Sequence, residues 1–138
     1  MRGAVACFAL ACALAAGGCR AGGAGDTGGG ALRAAPPATI AKVGLDLSRL
    51  DGQGLAGPPD GKVALGYEFC IPAGAAYADE VRSIDPSLEL MPGSRGRLGC
   101  GPGEVLCVGS THQPDWRGVL GRLAALAYVD SIAPFHGE

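Results

Sequence analysis

Most of the chemistry open to this chain rests on Cys70, Cys100, Cys107 and a polar run containing Ser110, Thr111, His112, Gln113 and Asp115. A thiol beside an imidazole can act as an activated nucleophile, because the ring takes the proton and leaves a thiolate. The expected fold brings Cys70 together with His112, and Cys107 is the other thiol that could serve. The polar run also precedes an apolar-periodic segment. It therefore marks a helix start, where free N–H groups and the helix dipole favour an anion. Thr111 and His112 are then the candidate ligand residues. Each feature also has a plainer reading. Cysteines in a small exported domain serve chiefly as disulfide staples. Thr111 or His112 can flank a helix cap, while Asp115 complements the dipole.

The elements that must position these residues can be read from hydrophobic period. Residues 62–70 alternate, with Val63, Leu65, Tyr67 and Phe69 on one face and Ala64, Gly66, Glu68 and Cys70 on the other, as in a half-buried strand. Residues 73–84 carry Tyr77, Val81 and Ile84 at helical spacing, and Asp85 with Pro86 forms a stop. Residues 88–91 and 96–100 read as short extended pieces, and 104–109 as a second strand. A helix then opens near Pro114, with Trp116, Val119, Leu120, Leu123 and Leu126 as its apolar stripe. Residues 128–132 read as the last strand.

This order is strand, helix, strand, strand, helix, strand. It predicts an α+β domain of the ferredoxin-like, split βαβ type (βαββαβ), with a four-stranded antiparallel sheet and two helices on one face. The domain spans 62–138, and its first and third strands are read as parallel neighbours. On that reading Cys70 pairs with Cys107, closing a loop of roughly 40 residues worth at most about 4 kcal/mol in the chain-entropy account. Cys100 with Cys107 is the competing pair. The same reading places the ends of both strands at one sheet edge, which is what brings Cys70 near His112. Glu68 and Glu104 are expected on the exposed face.

The amino terminus carries a different signal. Met1 and Arg2 precede an apolar run at 3–16, followed by Gly17, Gly18 and Cys19. The run is too short for a spanning helix, which needs about 20 residues, and fits the core of an export signal. These residues resemble the signal of the bacterial lipoprotein class, in which the chain is cut before a cysteine whose thiol is then acylated. The resemblance implies cleavage after 1–18 and lipidation at Cys19, with Cys7 and Cys12 lost with the signal. It implies a membrane partner reached through a lipid anchor, in the bacterial cell envelope. Arg20 in the following position points to the outer membrane where two membranes exist. An ordinary secreted protein is the alternative. Residues 20–38 are rich in Gly and Ala and close on Pro36 and Pro37. They read as a flexible tether, and 39–61 as a loosely packed arm, so 19–61 precede the domain.

Composition excludes several classes. The formal net charge is −2, with no basic stripe, so nucleic acid lacks an electrostatic footprint. No Cys-x-x-Cys motif, zinc-spaced Cys/His group or strand–Gly loop–helix phosphate motif occurs, so no metal or cofactor is expected. The leading expectation is a non-enzymatic envelope lipoprotein that binds an envelope partner or itself. A Cys/His thiol enzyme or redox protein and a small-anion binder at 110–116 are the alternatives.

Overall fold

The computed structural model describes residues 37–136, so the expected signal, Cys7, Cys12, Cys19 and nearly all of the expected tether lie outside it. In chain order its elements are α1 (Pro37–Ile40), a 3-10 turn at Leu47–Arg49, β1 (Leu55–Ala56), β2 (Val63–Ala64), β3 (Gly66–Pro72), α2 (Ala75–Ile84), β4 (Glu89–Pro92), β5 (Glu104–Ser110), α3 (Trp116–Ala125) and β6 (Ala133–Phe135). Strands β1 and β2 form a small ribbon, and the other four form one sheet in the order β4-β5-β3-β6. Among the described residues no helix is long and apolar enough to cross a membrane.

Every neighbouring pair in the four-stranded sheet is antiparallel. This corrects the expected parallel alignment of the first and third strands. Helix α2 returns the chain so that β4 runs in the same direction as β3, and β5 must then run against both. Gly66 consequently faces Ser110 at one end of the pair, and Pro72 faces Glu104 at the other.

Directly opposed residues share a sheet face, and successive residues alternate. Phe69 and Cys107 are opposed, as are Tyr67 and Gly109. This face meets Val81 of α2 and Val119, Leu120 and Leu123 of α3 in one buried cluster. Gly109 must lack a side chain, because a Cβ there would stand 2.5 Å from the Tyr67 ring. Helix α3 buries Trp116, Val119, Leu120, Leu123 and Ala124 at helical spacing. Helix α2 ends at Asp85, whose extended backbone suits a residue that precedes proline.

The second face carries Glu68, Cys70 and Leu106, with Cys70 opposite Leu106. It was expected to be open, yet Glu68 is 0% and Leu106 1% exposed. Residues 93–103 cover it, and the expected extended piece at 96–100 is a turn within this cover. Gly96 (φ 55°) lies so close that a Cβ would be 2.7 Å from Leu106 and 3.2 Å from a Glu68 oxygen. Glu68 Oε1 accepts hydrogen bonds from the backbone N–H groups of Arg97 (2.7 Å) and Leu98 (3.1 Å). The carboxylate therefore fixes the cover to the sheet.

The arm at 39–61 packs more tightly than its composition suggests. Leu45, Leu50 and Ala56 belong to the core cluster. Lys42 Nζ donates to the carbonyls of Leu126 (3.3 Å) and Val129 (2.7 Å), where a cation complements the end of α3. Val43 bridges Ile132, and the Ile132 N–H donates to Lys42 O. This competition explains why the expected strand at 128–132 is displaced to Ala133–Phe135. The arm takes the backbone groups of Ile132, and β3 pairs with the residues that follow. Asp51 accepts from Lys62 Nζ (2.8 Å) and from the N–H groups of Leu55 and Gln53, which hold its carboxyl down to about 2.

Thr111 ties the arm to the sheet. Its hydroxyl donates to Gly54 O (2.6 Å) and accepts from Leu65 N–H (2.9 Å), with the residue fully buried. Thr111→Val keeps the shape and removes both bonds, leaving the buried Gly54 carbonyl and the half-buried Leu65 N–H unpaired. We expect a loss of about 1–3 kcal/mol in chemical denaturation. Gly54→Ala should be worse, since its φ is 78° and a Cβ would overlap the Thr111 carbonyl.

Candidate functional site

The cysteines are arranged by the β3–β5 register. Cys70 and Cys100 are joined in a disulfide, with Cα atoms 5.7 Å apart. Both expected pairings, Cys70 with Cys107 and Cys100 with Cys107, are therefore corrected. Cys70 stands opposite Leu106, so Cys107, one residue on, faces the other side of the sheet. A sheet lies between Cys107 and either partner. The bridge spans 30 residues and pins the 93–103 cover onto β3. Loop closure of that length corresponds to about 3.5–4 kcal/mol in the chain-entropy account.

Cys107 is a free thiol, fully buried in the core beneath the helices. Burial pushes its thiol up to about 12, so it stays protonated at neutral pH. A neutral, enclosed thiol is a poor nucleophile.

The Cys70–His112 pair is also undone by the antiparallel register. Cys70 lies four residues along β3 from Gly66, which faces Ser110 beside His112. That offset is about 13 Å of extended strand. Cys70 is moreover held in the disulfide. His112 is exposed, and its Nδ1 lies 3.3 Å from Gln53 O. With Gln53, Gln113 and Pro114 it borders a shallow depression of about 320 Å³. Thr111 is buried behind these residues and has spent its hydroxyl on the arm. Of the two residues selected for a ligand, only His112 faces solvent.

Gln113 links this depression to a buried polar group that the sequence did not single out. Its Nε2 donates to Ser110 O (2.7 Å) and Asp85 Oδ2 (3.3 Å). Asp85 is fully buried and also accepts from the Tyr67 hydroxyl, from Ser87 N–H (2.9 Å) and from Ser87 Oγ (2.7 Å). Burial and the bond to Asp85 raise the Tyr67 phenol well above its usual range. The network closes the end of α2 over β3. The Asp-Pro pair was read only as a helix stop, because periodicity cannot report where a stop residue's carboxylate points.

At the start of α3, Asp115 occupies the cap position with a left-handed backbone (φ 52°) and no side-chain cap bond. Its carboxylate fills the space beside Gly118 and meets Arg122 at 3.2 Å, so the two charges partner each other on the surface.

A third cluster was invisible in the spacing. Glu104 begins β5 opposite Pro72, on the face that carries Cys70. Its Oε2 accepts from Gly101 N–H at 2.6 Å. One carboxylate oxygen and the two sulfurs lie within 4.8 Å of one another. An open depression of about 400 Å³ borders Cys100, Glu104 and Arg95. No protein-family model, curated protein or solved structure matches this chain.

Removing the bridge as Cys70→Ala with Cys100→Ala should cost about 2–4 kcal/mol in chemical denaturation. On the alkaline side the sign follows from proton binding. The unfolded Cys107 thiol titrates near 9.0 and the folded one near 12, so between these values the unfolded state holds fewer protons. Stability therefore falls as pH rises above about 9, and the raised Tyr67 phenol adds to the same trend. Denaturation curves should show this decline, and it should be shallower in Cys107→Ala. A maleimide should leave Cys107 unlabelled in the native protein and label it in denaturant.

Proposed function

We propose that this chain is an exported, lipid-anchored envelope protein that acts by recognising a partner rather than by catalysis. The Cys70–Cys100 disulfide carries the reading. Disulfides persist in oxidising compartments and are rare in a reducing cytosol. The bridge therefore supports the export that the first nineteen residues suggest. Acylation of Cys19 would fix the chain to a membrane, and 20–38 would let the domain stand away from it.

The non-catalytic part rests on how the candidate groups are engaged. Cys70 is bridged, Cys107 is enclosed, and Thr111 is bonded into the arm. His112 keeps no thiol within reach. We further infer a ferredoxin-like arrangement. The order β4-β5-β3-β6, with α2 between β3 and β4 and α3 between β5 and β6, supports it. That fold hosts many unrelated activities and selects none.

Both sheet edges are short. β4 ends on Pro92, and β6 carries Pro134, which has no N–H to donate. Such edges resist strand addition, so a partner or second copy would meet the domain by side chains of a face. The test is the intact mass of protein purified from membranes, before and after reduction. A chain starting at Cys19 with added acyl groups, gaining two protons on reduction, is expected. An unprocessed chain with reduced Cys70 and Cys100 in the cytosol overturns the reading.

A further inference from the structure

We propose that Cys70, Cys100 and Glu104 become a binding site for a thiophilic divalent cation of the zinc class when the disulfide is reduced. Their donor atoms lie within 4.8 Å of one another. One tetrahedral ion, with bonds of about 2.3 Å to sulfur and about 2.0–2.2 Å to oxygen, can span such a set once reduction lets the two bonded sulfurs move apart to about 3.7 Å. The convergence is built by the backbone. Cys70 and Pro72 share a face of β3, Pro72 is opposed to Glu104, and the Gly101 N–H holds the carboxylate at 2.6 Å.

The bridge is not the only thing that keeps Cys100 beside Cys70. Glu68 Oε1 binds the N–H groups of Arg97 and Leu98, the Cys100 N–H donates to Arg95 O (2.7 Å), and the Ala73 N–H donates to Gly103 O (2.8 Å). The thiols therefore stay gathered after reduction. The depression of about 400 Å³ beside Cys100 and Glu104 gives an entry path and room for water as the fourth ligand.

The chemistry balances with a phosphine as reductant. The phosphine gives two electrons to the disulfide and takes an oxygen atom from water to become its oxide. The two protons of that water convert the sulfurs to thiols. A divalent ion then displaces both thiol protons, forming two metal–sulfur bonds.

The probe is Co²⁺, whose thiolate complexes absorb by charge transfer, followed by Zn²⁺ as competitor. The full chain is used with Cys7→Ala, Cys12→Ala and Cys19→Ala, after phosphine reduction and with circular dichroism recorded alongside. We expect one Co²⁺ per chain with a thiolate band, its displacement by one equivalent of Zn²⁺, and no band in the oxidised protein. Glu104→Gln lies on the surface and should fold normally, yet bind about tenfold or more weakly. Cys70→Ser should abolish the band. Absence of a band in folded reduced protein, unfolding on reduction, a band that survives Cys70→Ser, or unchanged affinity in Glu104→Gln would each overturn the proposal.

Discussion

The pairing of β3 with β5 governs nearly every other feature of this domain. Seven opposed pairs, from Gly66 with Ser110 to Pro72 with Glu104, set which side chain meets which layer. Because the strand period is two, a slip of β3 by one residue would turn Phe69 toward the 93–103 cover and drive Cys70 and Glu68 toward the helices. The Tyr67 ring over Gly109 adds a steric lock to that register. Both the apolar core and the disulfide face follow from the one alignment.

The sheet is covered on both faces by different means. The helices bury one face with apolar side chains at helical spacing. A turn-rich segment of few apolar residues covers the other. It is held by a cystine, by two hydrogen bonds to the Glu68 carboxylate and by the packing of Leu98 and Gly96. Such a cover gains little from hydrophobic burial, so covalent and polar fastening take its place. This is the usual recourse of a small domain, which buries too modest a share of its surface to rely on a core alone. The Thr111 hydroxyl, the Asp85 carboxylate and Glu68 Oε1 fasten one segment to another, while the second Glu68 oxygen is buried without a hydrogen-bond partner.

Local pattern anticipated the two helices and the second long strand closely, and the first with a shift: the strand expected at 62–70 is Gly66–Pro72, while Val63 and Ala64 pair with β1 in the separate ribbon. Ala75–Ile84 and Trp116–Ala125 carry strong 3.6-residue spacing, and Gly66–Pro72 and Glu104–Ser110 carry alternation or a continuous apolar run. It failed where two segments compete for one partner. Residues 128–132 read as a strand, but Lys42 and Gly44 engage the backbone of Ile132 from across the chain. It failed again at Glu68, whose alternation marked it as outward. Outward became buried only because a distant loop folded back over it. The arm at 39–61 looked sparse because its apolar residues are widely spaced. Leu45, Leu50 and Ala56 each reach the core singly.

What the sequence by itself determined was the α+β element order and which thiol, imidazole and carboxylate groups the domain carries, both of which depend on residue type and short-range spacing. Only the tertiary structure decided which cysteines pair, that Cys70 and His112 stand apart, and that Glu104 joins the sulfurs. These outcomes depend on strand direction and register. Those are fixed by helix packing, by the Tyr67–Gly109 contact and by the loop that Glu68 holds down, and no window of neighbouring residues contains them.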